Sequence, residues 1–260
     1  MPAIVEMRLR PSRTLEPTTR QLHGLACAVF EGASSADHLG PNKQFAVWPL
    51  KRAPDGWLLR AAWLNSGLPQ SVLAACGRLR LGPTTCAVTD LALRPASHAD
   101  IASGPPFREA HLTFHSPTFF SQNGVRIVLP DPRLIVGSWR RRWNASLGAE
   151  DPLAIGDDQW REIHHALRLA NFDLRTHARD AGHGHDQGGF TGTATLRLDK
   201  EASTVVRRSF GALARFAEFC GTGAQTTHGF GATTLSPSTI TSYQTTGKQP
   251  MPFRNLTNPK

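Results

Sequence analysis

GFTGTATLRLDKEASTVVRRSFGALARFAEFCGTGAQTTHGFGATTL, residues 189–235, reads as strand, helix, glycine-rich loop and strand. The segment 189–198 alternates its faces and is rich in Thr, as a half-buried strand requires. Residues 201–218 place Val205, Val206, Phe210, Leu213 and Phe216 at helical spacing, which predicts a helix with those side chains inward. GFGATTL then returns as a strand. Upstream, EAHLTFHS (109–116) is a strand, and FFSQNGVRIVLP (119–130) is a hairpin closing near Asn123-Gly124. An Arg-rich helix over 132–147 carries Leu134, Ile135, Trp139 and Trp143 broadly on one side. Residues 157–180 fit either one long helix or a short helix to about 165 followed by the strand LRLANFDLRT. The second reading is adopted because it completes a β-α-β-β-α-β order.

The first half follows the same order. Residues 2–10 alternate as a strand, and 17–31 set Leu22, Leu25, Ala26, Val29 and Phe30 on one helical face. FAVWPL (45–50) and WLLRAAWL (57–64) flank the turn-forming APDG, a short helix starts at Pro69, and TTCAVTDLAL (84–93) is a further strand. The fold class expected is therefore α+β, with two tandem ferredoxin-like (RRM-like) βαββαβ domains and a C-terminal glycine-rich loop. SHADIASGPP (97–106) is the expected boundary, giving domains at 1–105 and 106–235. Residues 236–260, rich in Ser, Thr, Pro and Gln, read as a flexible tail.

Composition narrows the partners. Lys and Arg outnumber Asp and Glu by 29 to 20, a net charge of +9, which favours a polyanion. Nucleic acid is the first expectation, since no stretch is apolar enough to span a bilayer and no basic amphipathic helix stands out. MPAIVEMRLRP lacks the apolar core of a signal peptide. Cys27, Cys76, Cys86 and Cys220 are scattered without a C-x-x-C pair, so neither a disulfide framework nor a Cys-based zinc site is expected, and a cytoplasmic location follows.

The most specific local signal is GTGAQTTHGFG, 221–231. Gly221, Gly223, Gly229 and Gly231 free the backbone for positive φ and close approach, and such a loop can present amides as an anion nest. It is not a nucleotide P-loop, because no G-K-[ST] follows and the loop leads into a strand. A long helix-to-strand turn is the plain alternative. Arg140, Arg141 and Arg142, between two tryptophans, and Arg207 and Arg208 on the helix before the loop read either as solvated faces or as phosphate-tracking stripes. His177, His183 and His185 crowd THARDAGHGHDQGG, which reads as a mobile polar loop rather than a metal site. Trp48, Trp57 and Trp63 lie in strands and read as core.

The C-terminal G-x-G-x5-G-F-G resembles the signature loop of the CRISPR-associated repeat-RNA processing endoribonucleases, in the RAMP superfamily. RQLHGLACAVF (20–30) with ADHLG (36–40) is similar to that family's first helix and catalytic-histidine segment. LTFHSPTFF (112–120), LPDPRLIVGSWRRRWN (129–144) and GFTGTATLRL match its middle section in content and order. The similarity covers roughly residues 1–235 as an ordered set of short motifs.

This resemblance implies a metal-independent endoribonuclease that cuts CRISPR precursor RNA within the repeat to give guide RNAs. The RNA's own 2′-OH would attack, leaving a 2′,3′-cyclic phosphate and a 5′-OH; the protein would supply a base, an acid and positive charge. His38 falls where the family's catalytic histidine would be. His23 stands near the position where some members carry an assisting tyrosine; the single tyrosine here, Tyr243, lies in the tail. Lys43 would balance charge in the transition state. The loop residues Gln225, Thr226, Thr227, His228 and Phe230, with the four glycines and the arginines above, are the expected RNA contacts. No cofactor or metal is expected. Partners beyond the RNA are other CRISPR effector proteins and a second copy as a homodimer. The alternatives are a non-catalytic RNA-binding subunit of an effector complex and, more generally, a basic RNA-binding module.

Overall fold

The computed structural model describes residues 1–31, 43–148, 150–180 and 186–236. The first half holds β1 (Ala3–Pro11), α1 (Thr19–Phe30), β2 (Phe45–Val47), β3 (Lys51–Ala53), β4 (Gly56–Trp63), α2 (Gln70–Ala74), β5 (Arg78–Leu81) and β6 (Thr84–Pro95). Its sheet runs β2-β4-β1-β6-β5, with β3 also paired to β4. The second half holds α3 (His98–Ser103), β7 (Glu109–Thr118), β8 (Phe120–Gln122), β9 (Val125–Ile127), α4 (Pro132–Ser146), α5 (Asp157–Ala166), β10 (Leu167–Asp180), β11 (Asp186–Leu198), α6 (Thr204–Cys220) and β12 (Thr233–Leu235). Its sheet runs β10-β11-β7-β12. In each sheet the unit's first strand is central, between its third and fourth, and the second lies outside the third. That is the ferredoxin-like order, present twice. Residues 157–180 divide into α5 and β10, as the βαββαβ order required.

Helix ends are set locally. Thr18 and Gln21 form a capping box at the start of α1. Asp131 accepts the amides of Arg133 and Leu134, and Pro132 occupies the first turn of α4, where its missing N–H costs nothing. Ser203 caps α6, and Gly221, at φ 67°, ends it. The apolar face of α1 (Leu22, Leu25, Ala26, Val29) packs in one core with Val5, Met7 and Leu9 of β1. Roughly 1.5–3 kcal/mol per buried Leu or Val is the expected gain there. A second cluster joins α4 and α6 to their sheet and also takes in Ile4, Ala62 and Leu64 from the first sheet, so the two halves share a core.

Several expectations are corrected. β5 was not anticipated, although its RLRL alternation buries Leu79 and Leu81 against β6. SHADIASGPP contains α3, capped reciprocally by Ser97 and Asp100. Arg215 of α6 holds this segment through the Ile101 and Pro105 carbonyls (both 2.8 Å) and lies 4.9 Å over the Phe107 ring. Val205, expected inward, is 58% exposed, because it falls in the first turn of α6 on the face away from the sheet. Pairing in FAVWPL stops at Val47. Trp48 is buried where the two halves meet, between the Arg60 guanidinium (4.0 Å) and the His115 ring (5.3 Å).

Candidate active site at the junction of α1, α4 and the glycine loop

The loop after α6 is fixed at its root. Trp139 of α4 donates its indole N–H to Thr222 Oγ1 (2.9 Å), which is bonded in turn to Thr233 Oγ1 (2.8 Å). Ser138 Oγ accepts the Gly223 amide at 3.1 Å. Two glycines are obligatory here. A Cβ on Gly223 (φ 81°) would lie 2.2 Å from the Phe119 carbonyl oxygen, and one on Gly231 (φ 66°) 1.9 Å from that of Thr222. The backbone is largely occupied internally. The Thr222 amide donates to Gly231 O, Ala224 to Phe119 O, His228 and Phe230 to Gln225 O, and Gly231 to Pro117 O.

Those amides are taken up within the protein, so an anion nest in this loop would have to use the amides at its tip, around Gln225–Thr227. Phe230 is likewise no RNA contact: it is fully buried, edge-on to Phe119 at 5.6 Å. Gly221, Thr226 and Gly231 are buried too.

The tip of the loop docks on α1. Gln225 is exposed in a left-handed conformation (φ 53°), and Thr226–His228 form a 3₁₀ turn. His23 donates Nδ1–H to the Thr227 carbonyl at 2.9 Å, and its ring stacks on that of His228, with centroids 3.9 Å apart and planes 6° apart. The His228 pKa is pushed down to about 4, first by burial and then by the charge of His23. Arg179, at the far end of β10, reaches the Gly229 carbonyl from the other side (3.3 Å).

Between α4, the loop and Lys43 lies a cavity of about 330 Å³, lined among others by Arg141, Arg142, Gln225 and Thr227. The arginine triplet divides around α4. Arg140 turns away: it donates to the Ile155 carbonyl (2.9 Å), pairs with Asp157 (2.6 Å) and lies over Trp160. Arg141 and Arg142 face the cavity. Burial holds both guanidinium pKa values below the usual range, and Arg141 adds like-charge repulsion at Arg142. Arg142 donates to the Phe45 carbonyl at 3.3 Å. Among the described residues neither Arg141 nor Arg142 has an ion-pair partner. Among the described residues, then, two partly desolvated cations face this cavity without an ion-pair partner.

Lys43 also lines the cavity, but its ammonium is 2.7 Å from the Glu31 carboxylate, with both side chains about nine-tenths buried. Arg207 and Arg208 lie within the first two turns of α6, some 20 Å from Gly221 by helical rise, and the fold does not bring them to the site. Arg207 instead donates to the Lys200 carbonyl. His38 falls outside the described residues, as do His183 and His185; His177 is exposed on β10. No cluster of three or more potential metal-ligating side chains occurs among the described residues, and no described helix is long and apolar enough to cross a membrane. Sequence reading missed Ser138, Thr222, Arg179, Cys27 and Glu31. For the last two a signal existed: His23, Cys27 and Glu31 follow at four-residue steps along α1, one face of a helix.

The divided triplet yields a prediction. Arg142→Ala should weaken RNA binding and reduce the slope of log K against log salt by roughly 0.7, the single-strand value for one lost phosphate contact. Arg140→Ala should leave that slope unchanged and lower the melting temperature instead. Filter binding at several salt concentrations reads both.

The sequence profile of the family described as CRISPR-associated endoribonuclease Cas6 matches residues 112–233. Two proteins of Mycobacterium tuberculosis, from strains CDC 1551 and H37Rv, both called CRISPR-associated endoribonuclease Cas6, are 29% identical over 214 residues. The matched region covers 77% of this chain and 65% of theirs, so the chain spans slightly under two thirds of those relatives. Among solved structures, a Cas6 product complex superposes with a TM-score of 0.77 at 30% identity, covering 91% of this chain and 99% of that one. A Thermus thermophilus Cas6 gives 0.70 at 29% identity, covering 91% and 98%.

Proposed function

The chain belongs to the CRISPR-associated endoribonuclease Cas6 family, and on that premise we propose that it cuts CRISPR precursor RNA within the repeat, without a metal ion. The observation that carries this reading is the pair Arg141 and Arg142, without an ion-pair partner among the described residues, facing the glycine loop across a cavity of about 330 Å³. Their charge suits a phosphodiester, and the rigid loop offers a fixed wall against which a strand is aligned.

In the proposed reaction the ribose 2′-OH attacks the adjacent phosphorus as its proton passes to a base. The P–O5′ bond breaks, and the departing 5′ oxygen takes a proton from an acid. The products are a 2′,3′-cyclic phosphate and a 5′-OH. His38 is the first candidate for proton transfer. It lies outside the described residues and is named from the family resemblance of the segment ADHLG. His23 is the second candidate. Its Nδ1 anchors on the Thr227 carbonyl at 2.9 Å, and Nε2 lies 3.5 Å from the Cys27 sulfur. Arg141, Arg142 and Lys43 would hold negative charge as it develops.

One observation favours the non-catalytic alternative: Lys43 is already matched by Glu31, and both His23 nitrogens have protein contacts. Labelled repeat RNA incubated with the protein in EDTA separates the readings. Cleavage by wild type that falls about 10²–10⁴-fold in His38→Ala, with binding retained, supports the nuclease. Tight binding of RNA that stays intact with wild type supports a guide-RNA-holding subunit. Activity lost in EDTA and restored by a divalent ion refutes the metal-free chemistry.

A further inference from the structure

Arg179 lies near the end of β10, where the second half reaches over the tip of the glycine loop onto the first. It lines a cavity of about 190 Å³ with Thr18, Leu22, Leu50 and Trp57, residues of the first half. No residue is shared between these walls and those of the cavity that holds Arg141 and Arg142. Burial lowers the guanidinium pKa, and a cation drawn partly out of water costs free energy unless hydrogen bonds replace its hydration. Here the guanidinium donates to the main chain, to the Gly229 carbonyl at 3.3 Å.

The base from which Arg179 reaches is braced. It stands opposite Gln187 in the β10–β11 ladder, and the buried Gln187 accepts from Arg126 at 3.1 Å. The Arg126 guanidinium lies 5.6 Å over the Phe119 ring, and Phe119 packs edge-on against Phe230 of the loop. At the tip the fit is close: a Cβ on Gly229 (φ 86°) would lie 2.9 Å from Leu22 Cδ2 and 3.3 Å from an Arg179 guanidinium nitrogen. Gly229 follows directly on the Thr226–His228 turn, whose Thr227 carbonyl accepts from His23 and whose His228 ring stacks on it. A shift of the Gly229 carbonyl is therefore passed within two residues to these two contacts.

We propose that Arg179 is a positioning residue, braced through Gln187 and Arg126, that holds the loop tip on α1 and so fixes the His23 imidazole at the site. This rests on the role given to His23 above. Arg179 does not line the cavity that Arg141 and Arg142 face, so it acts through the loop and not by holding the scissile phosphate. Misplacing an aligned group by about 1 Å can cost roughly 10²-fold in rate, which gives one bond at the tip leverage on the chemistry.

Arg179→Met keeps an apolar stem beside Leu22 and Leu50 and removes the donor. In RNA-free protein, hydrogen exchange at the His228 and Phe230 amides, both bonded to the Gln225 carbonyl, should quicken roughly tenfold, the effect of losing one charge-assisted bond. The Thr222 and Gly231 amides at the root should exchange as in wild type. In single-turnover cleavage at saturating protein the rate should fall about 10- to 100-fold, with affinity for repeat RNA and its salt slope retained. Unchanged exchange at the tip would overturn the proposal, as would equal quickening at tip and root, the mark of general destabilisation. A salt slope reduced by roughly 0.7 would make Arg179 a phosphate contact and overturn it too. Exchange is read without RNA, so that arm decides even if wild type cleaves nothing. If tip exchange quickens and the cleavage rate holds, the brace stands and the role of His23 in cleavage falls. Should Arg179→Met fail to fold, Gln187→Ala takes its place: it should quicken exchange at the same two amides, and no change there refutes the proposal.

Discussion

Repeat RNA carrying one 2′-deoxyribose at the cleaved linkage is expected to remain intact while binding almost as tightly as the unmodified strand. In the proposed reaction the nucleophile belongs to the substrate, and the protein supplies only alignment, proton transfer and charge. Replacing that hydroxyl by hydrogen removes the attacking atom itself, so the rate should fall below detection rather than by a modest factor. Affinity depends instead on phosphates, of which Arg141 and Arg142 can each hold one. A lost hydroxyl hydrogen bond costs about 0.5–1.5 kcal/mol, so binding should weaken by less than roughly tenfold. Denaturing gels on end-labelled RNA, beside filter binding on the same oligonucleotides, give both readouts. Cutting that persists at the deoxy linkage would mean that water or a protein group attacks, and the proposed chemistry would have to be abandoned.

Gly231→Ala should cause the largest loss of stability of any single methyl addition in the loop. The added Cβ would lie 1.9 Å from the carbonyl oxygen of Thr222, a residue whose hydroxyl is bonded to Trp139 and Thr233 and whose amide donates to Gly231, so that the backbone cannot swing aside. Gly231 also has φ 66°, where an L side chain costs about 1–2 kcal/mol. Overpacking adds about 1–3 kcal/mol, for a total near 3 kcal/mol. In a chain of this size that corresponds to roughly 6–12 °C in melting temperature. Cleavage should fail as well, because the Thr226–His228 turn carries the carbonyl that orients His23. Gly24→Ala is the control. It lies in α1 with nothing within 4 Å of the new Cβ, so it should stabilise slightly, by up to about 1 kcal/mol. Equal melting temperatures for Gly231→Ala and wild type would show that the loop root is softer than its hydrogen bonds imply.

What the sequence by itself determined is the series of elements and its repetition. Strand alternation in residues 189–198, helical spacing through Phe210, Leu213 and Phe216, the Asn123-Gly124 turn and the glycine positions are local quantities. Each depends only on neighbours a few residues away. Together with the motif order they were enough for two βαββαβ units and their family.

Tertiary structure decided everything that depends on which surfaces meet. A charge run such as Arg140–Arg141–Arg142 carries no mark of direction. Only packing of α4 between the loop before α5 and the glycine loop sends Arg140 to Asp157 and the other two into the cavity. The glycines were legible, but not that the amides beside them close onto Phe119, Pro117 and Gln225. Lys43 was legible as a cation; Glu31 as its partner was not. The same holds for His23, whose partner Thr227 is 204 residues away. Periodicity records that a face is covered, whereas the identity of the group covering it is set by long-range chain closure, and the chemistry of this site resides in those long-range pairs.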